Sequence, residues 1–472
     1  MFALQKKWSL DPFPHEDNDL VMSLVQFGET LGVKCFALLE GKEGAHQRTY
    51  LGFGEGWVLT PETFRETLIQ SQCQAHDTPD PLVHLRKFRE TNSPQMELES
   101  GIIGYLDYEW GLYWQKPKAS LTKPRYFFRL CPINIVLLPL TRELVLEFYT
   151  EDKEQLAKNF DFWVKELNQF LTGQTNKNYN YTSQNKTTDS NTKNNLSPSK
   201  WQPNMSREDF ITKIERIKEY IRAGDIFQAV FSQRFTLKTP LEPWAIYHKL
   251  RAVNPSPWLF CIHGKEETLV GSSPELLLSS SGKIIKTRPI AGTRPRGKTS
   301  EEDSAREQEL LNDPKEMAEH AMLVDLGRND IGRVAKYGSV KVSEYTGVQY
   351  FSHVMHIVST VEGEPDTPYD SLDALKAVLP AGTLSGAPKV RAMEILQEAE
   401  SSPREAYGGA LGILRWNGEV DFCITIRTLI FNESEVSVQA GAGIVLDSVP
   451  EREYEETLHK ARALFTVVDL AN

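Results

Sequence analysis

PAGTLSGAPK, residues 380–389, is a loop of small residues that ends on a lysine and leads into a segment with helical spacing, 388–400. Glycine and serine let the backbone approach a ligand closely, and amides at the start of a helix suit an anion. It is not a Walker phosphate loop, because three residues separate Gly382 from Gly386 and Val390 follows the lysine. The stretch therefore predicts either an anion-binding turn or an ordinary connection before a helix.

Runs with strand character alternate with helical segments on both sides of this loop. The strand-like runs are 35–40, 133–139, 143–149, 229–237, 269–270, 276–279, 284–287, 354–361, 409–414, 420–430 and 436–441. The segments with helical spacing are 153–171, 206–224, 301–326, 370–379, 388–400 and 450–466. Many strands with segregated helices predict an α+β fold with mostly antiparallel sheets.

One stretch has the composition of a flexible linker. Residues 173–200 are rich in Asn, Thr, Ser and Lys and have almost no aliphatic side chains. Such a segment cannot bury enough apolar area to order itself. We therefore predict an N-terminal region, 1–172, a linker, 173–200, and a C-terminal region, 201–472.

Composition and charge narrow the class of protein. The 472 residues are 40% apolar and 25% charged, as in ordinary soluble proteins. The net charge of −11 argues against nucleic acid or an anionic membrane as a partner. No apolar run is long enough for a membrane span, and the N-terminus has no signal-peptide pattern. The five cysteines are isolated in sequence, so we predict a cytoplasmic protein with reduced thiols.

Two segments carry glutamates at positions i and i+3. They are Glu316 with Glu319, and Glu453 with Glu456. On a helix each pair lies on one face, and two such faces across a cleft would suit a hard cation such as Mg²⁺. The alternative is a pair of solvated helix faces, in which Lys460 forms an i,i+4 ion pair with Glu456.

Cationic and glycine-rich segments accompany these glutamates. Residues 288–297 hold three arginines and two glycines, and residues 424–428 place Arg427 in a run of β-branched residues that predicts a strand. Arginine binds carboxylates in bidentate fashion. In residues 439–445 two glycines would let backbone amides approach a ligand. These features favour a small anionic ligand.

Two histidines lie at one end of the strand-like run 354–361. His353 and His356 are spaced as in some metal sites, but no third soft ligand follows them, which argues against zinc. Either a general acid/base histidine or a structural one fits this position.

Together these segments resemble the chorismate-utilising enzymes. The motifs that carry the resemblance lie at 224–228, 254–257, 271–275, 288–297, 318–334, 352–363, 380–396, 406–412, 424–428, 439–457 and 459–464. The resemblance is continuous from about residue 206 to 468 and weaker before it, through 36–40 and 104–108. It implies a single α/β sandwich of two facing, mostly antiparallel sheets with helices outside, in which the linker is a surface excursion.

The resemblance also implies a ligand set. Mg²⁺ would contact Glu319 and Glu456, with Glu316 and Glu453 near or behind them, and would hold the ring carboxylate of chorismate. The residues implied in substrate binding are Arg427, Tyr407, Gly441, Ala442, Gly443, Gly292, Gly382 and Thr383. The residues implied in catalysis are His356, as the proton-transfer group, Thr293 and Lys460.

The family's chemistry depends on the branch. In the anthranilate synthase branch, ammonia adds at C2 of chorismate with loss of the C4 hydroxyl, and pyruvate is then eliminated. Gln228 stands where isochorismate and salicylate synthases carry a catalytic lysine, and Ala291 stands where many aminodeoxychorismate synthases carry one. The loop 381–385 also follows the anthranilate pattern. The resemblance therefore implies an anthranilate synthase large subunit in tryptophan biosynthesis, with aminodeoxychorismate synthase component I or a non-catalytic chorismate- or tryptophan-binding regulator as alternatives.

Two further features concern regulation and the source of ammonia. The family's tryptophan feedback site uses Leu-Leu-Glu-Ser, whereas this chain has Leu38, Leu39, Glu40 and Gly41, which lacks the hydroxyl. Feedback by tryptophan is therefore left open. The chain has no Gly-x-Cys-x-Gly glutaminase motif, so ammonia from glutamine would require a partner amidotransferase subunit.

Overall fold

The computed structural model describes residues 1–10, 17–41, 47–63, 80–94, 96–115, 124–173, 200–351 and 354–471. Its helices are α1 (Asp17–Thr30), α2 (Pro81–Asn92), α3 (Glu109–Gln115), α4 (Lys153–Leu171), α5 (Arg207–Arg222), α6 (Pro243–Val253), α7 (Ser300–Asn312), α8 (Pro314–Gly332), α9 (Ser371–Val378), α10 (Lys389–Ala399) and α11 (Pro450–Asp469). Within the described ranges, no helix combines the length and the apolar character needed to span a bilayer.

Two large sheets contain the strands. In spatial order, sheet A contains β1 (Phe2–Ser9), β8 (Glu143–Thr150), β7 (Ile133–Leu138), β3 (Arg48–Phe53), β2 (Cys35–Gly41), β11 (Trp258–His263), β12 (Thr268–Ser273), β21 (Thr428–Phe431), β22 (Glu435–Ile444), β10 (Gln228–Lys238) and β18 (Gly386–Ala387), with β9 (Gln202–Pro203) beside β10. Sheet B contains β15 (Ile290–Pro295), β17 (Val354–Gly363), β14 (Ile285–Thr287), β13 (Leu276–Ser280), β20 (Val420–Ile424), β19 (Ala410–Arg415), β5 (Gly101–Leu106), β6 (Tyr126–Leu130) and β4 (Trp57–Leu59), with β16 (Lys341–Tyr350) beside β17.

The sheets face each other across an apolar core. Leu39 of sheet A packs in one cluster with Ile103 and Leu411 of sheet B. Because successive side chains of a strand point to opposite faces, the neighbouring Leu38 lies on the outer face, in a cluster that includes residues of α1, α4 and α11. The observed ladders are antiparallel, for example β2 with β11 and β5 with β19. The predicted α+β sandwich, with helices outside two facing sheets, is confirmed.

Both sheets combine strands from the two sides of residues 173–200. In sheet A, Leu39 of β2 is paired with Phe260 of β11. In sheet B, Gly104 of β5 is paired with Gly412 of β19. The predicted linker falls almost wholly on residues 174–199, which lie outside the described residues.

The single helix predicted over 301–326 is wrong. Two helices, α7 and α8, meet at Asp313 and Pro314. The Asp313 side chain accepts hydrogen bonds from the backbone amides of Lys315 and Glu316 and so caps α8. Proline fits the first position of α8, where no amide hydrogen is needed. The break places Glu316 and Glu319 near the start of α8.

The single strand predicted over 420–430 is also wrong. The chain leaves sheet B at the end of β20 and enters sheet A at β21. Arg427 lies between these strands with a φ of 51°, in the left-handed region that residues other than glycine rarely occupy. The sequence did not indicate this passage between sheets, because the apolar, β-branched pattern continues from one buried strand into the next.

Candidate active site

A cavity of about 620 Å³ is lined by residues of both sheets and of helices α8 and α11. The predicted site residues that line it are Gly292, Thr293, Glu316, Glu319, His356, Thr383, Tyr407, Arg427, Gly441, Gly443, Glu453, Glu456 and Lys460. These residues come from motifs that are far apart in sequence. The fold therefore brings acidic, cationic and glycine-rich segments to one cavity.

The two acidic helix faces meet in this cavity. Burial raises the pKa of Glu319, and the nearby Glu316 raises it further. Burial likewise raises the pKa of Glu453, and Glu456 adds to the shift. Each pair therefore contains a partly desolvated carboxylate beside a second negative charge, an arrangement that a cation would relieve.

Gln228 contacts one of these carboxylates directly. Its Nε2 donates a hydrogen bond to Oε1 of Glu319 over 2.8 Å. Its own Oε1 is buried and accepts no hydrogen bond from the described residues. A buried carbonyl oxygen without a donor is costly, so a ligand N–H at this point would complete the side chain's bonding.

The donor set fits a hard cation better than a soft one. Among the described residues, no three His, Cys, Asp or Glu side chains converge into a ready metal site. Glu316 is 3.2 Å from Arg294, and Glu456 is 2.7 Å from Lys460. Mg²⁺ typically takes one or two carboxylates and completes its shell with water and substrate oxygens. Glu319 and Glu456 could supply those carboxylates.

His356 is held in one tautomer by a backbone carbonyl. Its Nδ1 is 2.8 Å from the carbonyl oxygen of Gly292, and a carbonyl can only accept, so Nδ1 carries the hydrogen. Nε2 of the neutral ring then carries a lone pair and can accept a proton. Burial lowers the pKa of His356, which keeps the ring neutral near pH 7. The geometry suits a general base.

A β-bulge positions this carbonyl. The register between β15 and β17 shifts between Ala291 and Arg294, and Gly292 has a φ of 62°. A Cβ at Gly292 would lie 2.9 Å from Leu310 and 3.2 Å from Glu316. Bulges commonly redirect groups next to functional sites. Here the bulge also brings the Thr293 hydroxyl to 3.1 Å from His356 Nδ1.

The glycines of β22 leave an open strand edge toward the cavity. Strand β21 pairs with β22 only as far as Val438, whereas β10 pairs with it as far as Ile444. Lys460 Nζ donates to the carbonyl of Gly441 over 2.9 Å, so this carbonyl points away from β10. In an antiparallel ladder the amide of the same residue points the same way, as does that of Gly443. Both amides are therefore directed toward the side that β21 has left.

Arg427 and Tyr407 complete this wall. Burial lowers the pKa of Arg427, which lies close enough to Tyr407 for the two to interact electrostatically. The guanidinium donates to the Lys460 carbonyl through Nη1. An arginine that makes one side-chain hydrogen bond to the described residues and lies beside strand amides is suited to a carboxylate.

Glu275 lines the same cavity but was not among the predicted site residues. Burial raises its pKa to about 8, although the Thr383 hydroxyl, which donates to it over 2.9 Å, lowers it in part. The carboxyl is therefore largely protonated at neutral pH and can donate a proton. Its place in the motif 271–275 was visible in the sequence, whereas its burial was not.

Several predicted residues lie elsewhere. Ala442 packs on the opposite face of β22 in an apolar cluster, and Gly382 borders a small neighbouring cavity of about 20 Å³. Leu39, Glu40 and Gly41 belong to β2 and do not line the main cavity. His353 lies outside the described residues.

The predicted feedback region contains a buried ion pair. Glu40 is 1% exposed and accepts hydrogen bonds from Nε and Nη2 of Arg251 over 2.7 and 2.8 Å. The hydroxyl of Tyr247 also donates to it. A Cβ at Gly41 would make ordinary contact with Trp258 at 3.4 Å.

Comparison with known proteins gives consistent matches. A family model described as chorismate binding enzyme matches residues 35–466. The anthranilate synthase component 1 of Acetivibrio thermocellus is 40% identical over 450 residues, 93% of this chain and 90% of that protein. That of Thermus thermophilus is 54% identical over 275 residues, 58% of this chain and 59% of that protein. The solved structure of anthranilate synthase component I from Streptococcus pneumoniae TIGR4 has a TM-score of 0.71 at 32% identity and covers 92% of both chains.

Proposed function

This chain belongs to the family of chorismate binding enzymes, and from that premise we propose that it is the large subunit of an anthranilate synthase. It would convert chorismate and ammonia to anthranilate and pyruvate, a step of tryptophan biosynthesis. One observation carries the proposal beyond the likeness to its relatives. A single cavity presents carboxylates for a cation, an arginine with open strand amides for an anion, and two groups poised for proton transfer.

Chorismate carries two carboxylates, and the cavity offers an anchor for each. Arg427 and the amides of Gly441 and Gly443 would bind the enolpyruvyl carboxylate. The ring carboxylate would lie near Glu319 and Glu456, where a negative ligand is repelled unless a cation intervenes.

We propose Mg²⁺ as that cation, held by Glu319 and Glu456. When bound, it supplies a Lewis acid that organises the ring carboxylate and the charge developing on the ring. Glu316 lies one turn before Glu319, and Glu453 lies one turn before Glu456. Both keep the electrostatic potential of the site negative. Arg294 and Lys460, which pair with Glu316 and Glu456, limit the repulsion among the carboxylates.

The proton-transfer groups match the two steps of the reaction. Attack of ammonia at C2 expels the C4 hydroxyl, and protonated Glu275 can donate the proton with which it leaves as water. The ammonium group formed at C2 then releases a proton, which balances the one that Glu275 has given up. Nε2 of His356 can then take the proton from C2. The C3–O bond breaks, the ring becomes aromatic, and the enolpyruvate takes up a proton to give pyruvate.

Two side chains favour ammonia as the nucleophile. Gln228 is neutral and cannot activate water as a base, and its buried Oε1 is available to accept an N–H. Ala291 lines the cavity with a methyl group, which offers no covalent nucleophile. These residues support direct attack by ammonia at C2 over water addition or a covalent intermediate.

We propose that a separate glutamine amidotransferase supplies the ammonia. The described cysteines, Cys35, Cys131, Cys261 and Cys423, are all buried and free. Burial raises the pKa of each of these thiols, the opposite of an activated nucleophile. Buried free thiols also suit a reducing compartment, so we place the protein in the cytoplasm.

The proposal is tested by incubating the full chain with chorismate, Mg²⁺ and ammonium chloride and following anthranilate fluorescence. We expect anthranilate and pyruvate in equal amounts, no product in excess EDTA, and no product from glutamine without a partner. A product that yields p-aminobenzoate only after a separate lyase is added would identify an aminodeoxychorismate synthase instead. Chorismate binding without turnover would identify a regulator.

Gly441→Ala is expected to weaken chorismate binding. The new Cβ would lie 2.9 Å from the Phe231 carbonyl and 3.0 Å from the Tyr407 hydroxyl, so either the strand or Tyr407 must move. We expect the KM for chorismate to rise about tenfold or more, equivalent to about 1.4 kcal/mol. Gly332→Ala is the control, because a Cβ there meets nothing within 4 Å. An unchanged KM in Gly441→Ala would contradict the proposed role of this strand edge.

A further inference from the structure

Arg404 is a buried charge that lies behind the wall of the cavity. The residue is 1% exposed, and it is not among the described residues that line the cavity. Because an arginine is almost never fully buried without partners, its contacts indicate what it does.

The guanidinium bonds to backbone carbonyls on two separate walls of the cavity. Nη1 donates to the carbonyl of Leu384, in the loop that follows Gly382, and Nη2 donates to the carbonyl of Val230, on β10. Both Leu384 and Val230 line the cavity. The two carbonyls belong to segments more than a hundred residues apart in sequence, so one side chain fixes the spacing between them.

The same guanidinium is also held by Glu400, which bonds to a second residue of β10. Nε and Nη2 of Arg404 donate to Glu400 over 2.7 and 2.6 Å. Oε1 of Glu400 also accepts from the amide and the hydroxyl of Ser232, over 3.0 and 2.7 Å. Ser232 is the residue of β10 that pairs with Gly441. The network therefore ends at the strand edge proposed to bind the enolpyruvyl carboxylate.

Two aromatic contacts add a further connection. The guanidinium carbon lies 5.8 Å from the ring centroid of Tyr407, which lines the cavity, and 4.4 Å from the ring centroid of Tyr108. Cation–π contacts of this kind are strengthened by desolvation.

We infer that Arg404 is a positioning residue for chorismate, and that it sets the distance between the Leu384 loop and the wall formed by β10, Gly441 and Tyr407. This inference rests on the proposed function. Arginine is needed because its planar fork directs several N–H groups to fixed points at once. Lysine would keep the charge, but its single ammonium cannot reach both carbonyls, Glu400 and the aromatic faces.

Arg404→Lys tests the inference by steady-state kinetics with chorismate. A misplacement of about 1 Å can lower a rate by about 10²-fold, so we expect kcat/KM for chorismate to fall about 100-fold. The KM for chorismate should account for most of the loss, because the displaced groups hold substrate rather than transfer protons. The KM for ammonia should change little.

Arg415→Lys is the matched control for loss of a buried guanidinium. Arg415 is 2% exposed, bonds to Glu419 over 2.9 Å and to Tyr50 over 3.1 Å, and does not line the cavity. Arg415→Lys should lower the melting temperature much as Arg404→Lys does. It should leave kcat/KM within about twofold of wild type, because effects of changes at distant sites with no shared partners are largely independent.

Each outcome decides a separate question. If wild type makes no anthranilate, the proposed function fails, whatever the variant does. If wild type is active and Arg404→Lys matches it, or if Arg415→Lys loses as much kcat/KM, the positioning role fails. If Arg404→Lys does not fold, Glu400→Gln decides, because it retains the side-chain shape while weakening the hold on the guanidinium. A KM for chorismate unchanged in Glu400→Gln would then overturn the inference.

Discussion

Glu319→Gln is expected to lower kcat/KM for chorismate by about 10²–10³-fold while leaving the protein at least as stable as wild type. The substitution removes a carboxylate proposed to hold Mg²⁺, and loss of a single electrostatic group in a water-poor site commonly costs about 10²–10³-fold. Stability should move the other way. Because burial raises the pKa of Glu319, its charged form is disfavoured in the folded state relative to the unfolded state, and a neutral amide removes that penalty.

The measurement combines Mg²⁺-dependent kinetics with thermal melting. Asp325→Asn is the control, because Asp325 lies on the same helix, has a side chain that is 78% exposed and pairs only with Arg328 in the ion pairs of the described chain. It should behave as wild type in both assays. Full activity of Glu319→Gln, or an unchanged Mg²⁺ requirement, would contradict the assignment of this carboxylate.

Glu275→Gln is expected to lower kcat by about 10²–10⁴-fold, the usual contribution of a general acid. Glutamine preserves the hydrogen bond from Thr383 but has no acidic proton to give to the leaving hydroxyl. Glu267→Gln is a matched control, since Glu267 is also a buried glutamate bonded to a hydroxyl, that of Tyr105 at 2.6 Å, but does not line the cavity. Equal losses in both variants would remove the case for proton donation.

The pH profile gives an independent check on Glu275. Burial raises the pKa of Glu275 to about 8, so the acid form is present below that pH and is lost as pH rises through it. At a fixed concentration of free ammonia, wild-type kcat/KM should therefore fall above about pH 8, and the residual activity of Glu275→Gln should lack that fall. The pKa of His356 is lowered, so its neutral base form is lost only as the pH falls below the usual range of histidine.

The sequence predicted best what depends on local spacing. Glu316 with Glu319, and Glu453 with Glu456, share a face because a helix brings positions i and i+3 together wherever it lies. The antiparallel sandwich followed from the number of strand-like runs and from the resemblance. Both carboxylate pairs line one cavity in the structure.

The sequence could not predict features that depend on where the chain turns or what covers a side chain. Glu275 was missed because its raised pKa is a property of burial between two sheets, and nothing in its neighbours' identities indicates that burial. The strand predicted over 420–430 failed because the left-handed residue at its centre, Arg427, is not a glycine, so no residue marked the turn. Ala442 was grouped with Gly441 by sequence, whereas strand alternation sends its side chain to the other face.

Both sheets contain strands from the N-terminal and the C-terminal parts of the chain, so the protein should tolerate a cut between those parts. A cut between Thr172 and Lys200 would leave the β2–β11 and β5–β19 ladders intact. Neither fragment could close its own core, because each would expose one long unpaired edge in each sheet. The two fragments would therefore recognise each other and complement as a split enzyme, with the proposed catalytic residues on the second fragment and strands of both sheets on the first.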